Sequence, residues 1–424
     1  MSGPGDEGPV ASRRALLGGA AGLIGAAGAA AVSNAPARAA TPKSQIEPFW
    51  GPNQAGIVTP AQTHSYFAAF DLATTKREDV VALLRAWTDA AAKLTAGQGL
   101  EAQTADPAAP GADSGETLGL PPSRLTLTFG FGAGLFTKDG ADRYGLAKLR
   151  PEALIDLPRF NGDQLIVERT GGDLSVQACA DDPQVAFHAV RQLSRLADGV
   201  AHIRWAQPGF IGGYGAGETP RNLMGFKDGT MNPLISDPKL MKQFVWVGDD
   251  GGWMRGGSYL IARPIRIALE HWDRMKVSFQ EQTFGRQKAS GAALGKTHEF
   301  EALDLDAVDK DGNPVVPENA HARLGAPATN DGAQVLRRSY SYDNGLSFVA
   351  ERWPPWRQGM EFDAGLLFLC YQRDPRTGFV KIFENMAKFD MLNQFATHIG
   401  GGLFACPGGA AKGEFIGQRL LLTA

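Results

Sequence analysis

The chain has 424 residues, a hydrophobic fraction of 43% and a formal net charge of −3. That length and composition allow two to three domains with a large core, and the charge gives no case for nucleic-acid binding. Three cysteines, Cys179, Cys370 and Cys406, with no C-x-x-C pair, exclude a disulfide framework, a thioredoxin-like motif and covalent c-type haem attachment.

The first forty residues read as an export signal. Arg13 and Arg14 precede a weakly hydrophobic Gly/Ala segment running to about Val32, and Ala37-Arg-Ala39 supplies small residues at a cleavage site. The paired arginines mark the twin-arginine route, with residues 1–39 as the signal peptide. An uncleaved anchor is the second reading, because Gly and Ala replace the Leu-rich composition of a membrane helix. The twin-arginine route carries folded proteins, which suits a protein loaded with a cofactor before export.

His64–Leu72 alternates as a strand, and Val80, Val81, Leu83, Leu84, Trp87, Ala91 and Leu94 fall at helical spacing over Arg77–Leu94. Residues 98–122 are rich in Gly and Pro and form a loop. Leu125–Phe131, Asp163–Glu168 and Leu174–Cys179 are predicted strands. Asp182-Pro183 starts a helix through Val185, Phe187, Val190, Leu193 and Leu196. This β-α-β-β-α-β order is that of a ferredoxin-like unit. The second half repeats it, with strands at Gln243–Val247 and Gly257–Ile267 and a helix over Glu270–Phe284. Strands at Leu336–Tyr342 and Gly365–Gln372 and a helix over Val380–Phe395 follow. The expected architecture is α+β, with antiparallel sheets in two ferredoxin-like domains, 48–215 and 216–424. A cleft between such halves is a usual ligand site. Cys370, inside an apolar strand, is expected to be a core thiol.

None of the seven histidines forms H-E-x-x-H, and no G-x-S-x-G, Walker loop or dinucleotide fingerprint is present. One run stands out, Asn222-Leu-Met-Gly-Phe-Lys-Asp-Gly-Thr-Met-Asn-Pro233, with its single acid, Asp228, between Lys227 and Gly229. Alone, an Asp-Gly pair is an ordinary turn. His321 lies in a proline-flanked loop, and Arg337 and Arg338 sit on a short strand that points them to opposite faces. Asp363 precedes an apolar strand. Together these make a coherent set: an imidazole to hold iron, an acid to move a proton, an arginine to stabilise developing charge, and a carboxylate behind the imidazole.

Gly225-Phe-Lys-Asp-Gly229, Ala320-His-Ala-Arg323, Leu336-Arg-Arg338 and Gly365-Leu-Leu-Phe-Leu-Cys-Tyr-Gln372, in that order, resemble the dye-decolourising peroxidases. The twin-arginine signal, Gln54-Ala-Gly-Ile-Val-Thr-Pro60 and Gly400-Gly-Gly-Leu-Phe404 resemble their exported deferrochelatase/peroxidase branch. The resemblance implies an exported, periplasmic or extracellular enzyme with haem b, one per chain, in the C-terminal domain. His321 would be the proximal iron ligand, Asp228 the distal acid/base and Arg337 the distal arginine, with Arg338 as the fallback. Gly229, Thr230 and Met231 would lie against the porphyrin, and Ala326, Pro327 and Ala328 along its edge. Arg323 would pair with a haem propionate and Asp363 with His321. Ser339 stands where some members carry a distal Asn. Hydrogen peroxide and a bulky aromatic donor would be the substrates. The alternative is a deferrochelatase or haem-binding protein of iron uptake that releases iron with the porphyrin left intact, with membrane components as partners. In either reading a homo-oligomeric assembly is expected. A two-domain binding protein without haem is the third reading.

Overall fold

The computed structural model describes residues 45–100, 108, 111–215, 217–350 and 358–422. The signal segment and its Ala37–Ala39 site lie outside the described residues. Ser44–Ala424 is one compact unit. No described helix is long and apolar enough to cross a membrane.

The first half runs β1 (His64–Leu72), α1 (Arg77–Thr95), β2 (Thr126–Phe131), β3 (Leu174–Ala180), α2 (Pro183–Leu196) and β4 (Ala201–Phe210). Glu78 and Asp79 in its first turn and Lys93 in its last complement the dipole of α1. Asp182 caps α2, accepting from Gln184 N and Val185 N, and Pro183 occupies the first turn, where no N–H partner is needed. Trp87 is fully buried, and its indole N–H donates to Leu193 O at 2.8 Å, joining α1 to α2.

The second half contains α3 (Pro238–Phe244), β5 (Ser258–Ile267), α4 (Leu269–Trp272), α5 (Val277–Phe284) and α6 (His321–Leu324). It continues with β6 (Leu336–Arg337), β7 (Tyr340–Ala350), β8 (Gln358–Gln372), α7 (Phe379–Phe389), β9 (Ala396–His398), β10 (Gly402–Cys406) and α8 (Gln418–Leu421).

Every strand pair is antiparallel, and the two halves share one topology. The first sheet is ordered β4-β1-β3-β2 and the second β10-β5-β8-β7. Numbered within each half, both read 4-1-3-2, so each half is ferredoxin-like. Single bridges join the sheets at two seams, Phe210 to Ser341 and Ala405 to Phe131. Since β5 also pairs with β8, eight strands close into a ring with few open edges. Alternate side chains then face either the ring interior or the helices. Phe67, Ala69, Leu260, Ala262, Leu367, Leu369 and Tyr371 fill the interior, whereas Phe70, Phe129, Val176 and Ile261 face outward into the helix-covered core.

Five expected elements differ. Asp163–Glu168 is irregular and ends in a 3-10 turn at Val167–Arg169. Gln243–Val247 is not a strand: α3 occupies Pro238–Phe244, capped by Asp237. Glu270–Phe284 breaks into α4 and α5, and the helix from Phe379 stops at Phe389 before a 3-10 turn. Leu336–Tyr342 splits at Arg338–Ser339 into β6 and β7, both alongside β8. All three cysteines are free and buried, and burial raises the Cys370 thiol well above its ordinary pKa.

Candidate functional site

The second half holds a cavity between its sheet and its helices. Ile265 and Ile267 of β5 and Leu366 and Phe368 of β8 form one wall. Phe284 of α5, His321 and Ala322 of α6, and Phe379, Ile382, Phe383 and Met386 of α7 form the other. The space open to the centres of water molecules is ≈ 240 Å³. Mostly apolar walls with a few convergent polar groups are the pattern of a cofactor pocket.

Asp228 sits on a tightly built turn. Arg221 and Lys227 form an isolated bridge, and Asp228 N donates to Pro220 O at 2.8 Å. Asn222 Oδ1 accepts from Met224 N and Phe226 N. Gly229 has φ of 112°, which a side chain rarely adopts. Glu299 fastens the residues on either side of Asp228: it pairs with Lys227 and accepts from Thr230 Oγ1 at 3.0 Å. Partial burial opposes ionisation of Glu299, but these partners and Thr219 outweigh it and hold the carboxyl below its usual range.

Arg337 ends β6 and reaches into the same space, with Nη1 3.5 Å from Asp228 Oδ1. Arg338 points the other way, donating to Thr59 O and Gln62 Oε1. Strand alternation separates the two arginines: Arg337 pairs in register with Cys370, whose side chain faces the helices. Ser339 Oγ is turned to β8, accepting from Leu369 N at 3.4 Å.

His321 opens α6 and shares the cavity with Asp228 and Arg337. Its Nδ1 lies 2.6 Å from Asp390 Oδ2, leaving Nε2 as the nitrogen available to a metal. Asp390 is 6% exposed, and its other oxygen caps the 3-10 turn after α7 by accepting from Leu392 N at 2.8 Å. The expected partner Asp363 is therefore corrected to Asp390. Asp363 lies on β8 in phase with Leu367 and Leu369, which face the ring interior. Its Oδ2 accepts instead from Asn344 Nδ2 at 3.2 Å.

Of the remaining expected contacts, Gly229, Thr230, Met231, Ala326 and Pro327 line the cavity. Ala328 is exposed and is not among the lining residues. Arg323 is also absent from the lining, and its Nη1 donates to Leu305 O at 2.8 Å and Val316 O at 3.2 Å. Through Nη1 the guanidinium braces the 303–316 loop.

Two polar residues escaped the sequence reading. Asp390 carried one signal, an acid directly after a helix, and that signal reads only as a cap. Arg286 carried none. It is 6% exposed and lines the cavity. Nη1 donates to Gly291 O and Glu299 O, while Nη2 is buried without a partner among the described residues. Burial first, and the nearby charge of Arg337 second, pull its pKa down. A buried cation with an unmet donor is costly unless an anion is near.

The family described as Dyp-type peroxidase, N-terminal, matches residues 54–211, and Dyp-type peroxidase, C-terminal, matches residues 219–411. A dye-decolorizing peroxidase of Thermobifida fusca is 38% identical over 87% of this chain and 83% of its own length. A deferrochelatase of Escherichia coli K12 is 36% identical over 97% of both chains. Ferric DtpA of Streptomyces lividans superposes with a TM-score of 0.80 at 41% identity, covering 89% of this chain and 98% of that one. Family matches across both halves, with relatives aligned along most of their length, place the chain in the Dyp-type peroxidase family as a haem-dependent peroxidase of the dye-decolourising type.

Proposed function

We propose that this chain is an exported haem b peroxidase, one haem per chain, that reduces hydrogen peroxide and oxidises bulky aromatic donors by one-electron steps. One observation carries the reading. The Asp228–Arg337 pair and the Asp390-anchored imidazole of His321 line one apolar-walled cavity.

The residues present suit haem. His321 offers Nε2 to iron, with Asp390 raising its donor strength through Nδ1. Arg286, a cation lining the cavity, suits a propionate. The aliphatic and aromatic walls suit the macrocycle. Bound haem would supply the iron that takes up peroxide and the oxidising equivalents passed to the donor.

Asp228 would take the proton from one peroxide oxygen and return it to the other as water leaves. Arg337 would stabilise the negative charge that develops on the leaving oxygen. The turn fastened by Glu299 keeps the carboxylate aimed inward, which lowers the reorganisation needed during the reaction.

The test is optical. The haem-loaded protein should show an intense Soret band that changes on one equivalent of peroxide. Asp228→Asn with Arg337→Leu should slow that change by at least about 100-fold, the usual scale of acid–base and electrostatic terms. Unchanged kinetics in the double variant would remove the distal assignment.

A second reading is haem iron release, favoured by the 36% identity to a deferrochelatase over 97% of both chains. Intact protoporphyrin and free iron after incubation with haem, without dye oxidation, would support it.

A further inference from the structure

We infer that Asn232 is a positioning residue that locks Arg337 to the Asp228 turn. The inference rests on the distal reading above and assigns the device that sets its geometry. Asn232 Nδ2 donates to Arg337 O at 2.8 Å. Its Oδ1 accepts from Arg337 N at 3.2 Å and from Arg337 Nε at 3.3 Å. One amide thus holds both backbone polar groups of Arg337 and one guanidinium nitrogen. Two N–H groups facing the oxygen and one carbonyl facing the nitrogen fix which way the amide points.

A long flexible arginine needs this. Arg337 ends the two-residue strand β6, and its side chain is partly exposed. Its contact with Asp228, at 3.5 Å, is too long to be a strong hydrogen bond. Backbone pairing with β8 fixes one edge of Arg337, and Asn232 takes the other as a neighbouring strand would. The Nε contact then limits the side-chain torsions.

Asn232 also belongs to the acid's turn. Its backbone N–H donates to Gly229 O at 2.9 Å, closing the Gly229–Asn232 turn that directly follows Asp228. The two distal groups are 109 residues apart in the chain (337 − 228), yet one side chain sets their separation. Pro233 follows directly and restricts the backbone of Asn232 to extended conformations.

The experiment uses the haem-loaded full chain in four forms: wild type, Asn232→Ala, Arg337→Leu and the double variant. Two quantities are read, the second-order rate with peroxide and the dissociation constant for fluoride at the ferric iron, an anion that a correctly aimed guanidinium stabilises. Asn232→Ala is expected to slow the peroxide reaction and weaken fluoride binding by roughly 10- to 100-fold, the scale of an ångström-level misplacement. In the Arg337→Leu background it should change either by less than about 2-fold, because a residue acting through another adds nothing once that other is gone. Full additivity, or a single variant within 2-fold of wild type, overturns the inference. If Arg337→Leu itself behaves as wild type, the distal reading fails instead. Should Asn232→Ala not retain haem, Asn232→Asp keeps the shape and the acceptor but loses the donor to Arg337 O. A value between wild type and Arg337→Leu supports the inference, and wild-type values for both quantities overturn it.

Discussion

Replacing Asp390 by asparagine tests the anchoring of His321 with little change in shape. The bond to His321 Nδ1 is 2.6 Å long, and the carboxylate is buried at 6% exposure, so it is a short, charge-assisted contact. Hydrogen bonds to charged groups contribute roughly 1.5–3 kcal/mol against roughly 0.5–1.5 for neutral ones, so the exchange costs about 1–1.5 kcal/mol. That is about a 5- to 10-fold change in an equilibrium constant. Asparagine has a single oxygen, so keeping it on the ring N–H turns the amide NH2 toward Leu392 N, and the lost 3-10 cap should lower thermal stability by roughly 0.5–2 kcal/mol. Asp390→Ala removes both contacts and should lower the melting temperature further. Haem loss is measured by transfer to an excess of apo-globin, and the iron midpoint potential by spectroelectrochemistry. Asp390→Asn should release haem about 5- to 10-fold faster and raise the potential, because a weaker donor stabilises the ferric state less. Asp363→Asn, which touches Asn344, should leave both unchanged. If Asp363→Asn moved the potential and Asp390→Asn did not, the proximal geometry described above would be wrong.

Arg286→Leu should act with opposite signs in two states. Without haem it removes a buried guanidinium with a free Nη2, so the melting temperature should hold or rise, while haem affinity falls about 10-fold or more. Calorimetry and a haem titration read the two effects separately. Asp163→Asn leaves Arg263, 2% exposed, without its carboxylate and should destabilise the fold by roughly 3–5 kcal/mol in denaturant titrations. Glu299 has a lowered folded pKa, so its stabilising effect is full above the ordinary value of 4.5 and is lost as pH falls through the lower folded value. The melting-temperature gap between wild type and Glu299→Gln should therefore be constant above about pH 5 and shrink below 4.5. Gly229→Ala has room, with only Asn232 Nδ2 within contact at 3.7 Å, yet φ of 112° should cost about 1–3 kcal/mol.

The sequence made local periodicity legible and left long-range geometry hidden. His64–Leu72, the helix from Arg77 and the helix over 183–196 follow from alternation, apolar spacing and an Asp-Pro start. The same Asp-Pro signal stands at Asp237-Pro238, where Asp237 accepts from Lys239 N at 2.8 Å. There the aromatic run Phe244-Val-Trp-Val247 read as a strand and masked it. Ring closure was illegible because each seam is a single bridge, which leaves no pattern in either strand. In sequence Asp363 is conspicuous as an acid before an apolar strand, whereas Asp390 resembles any helix-end acid. Strand phase decides between them, and phase becomes visible only when Leu367 and Leu369 are seen to face the ring interior.

The shared 4-1-3-2 topology also explains why only one half carries the cavity. In the first half one unbroken helix stands between β1 and β2 and another between β3 and β4. α1 and α2 lie against the sheet and against each other, and Trp87, Leu193, Phe70 and Phe129 fill the space between. In the second half the link that would hold one long helix is broken into α4 and α5 and extended by the segment from Gly285 to Val335. That excursion contributes Arg286, Glu299, His321 and the Ala326-Pro327 turn, and it leaves Ile265, Ile267, Leu366 and Phe368 of the sheet lining an open cavity. The apolar face of an otherwise ordinary sheet is thereby left for a ligand to cover. Filling it with protein should convert one half into the other. Gly325 lies beside this space, and a Cβ there would meet His321 O at 3.3 Å and the end of Met386 at 3.9 Å. Gly325→Leu should therefore place a side chain in the cavity, raise apoprotein stability by roughly 1–2 kcal/mol through added burial, and exclude haem. Unimpaired haem binding by a folded Gly325→Leu protein would show that the ligand lies elsewhere.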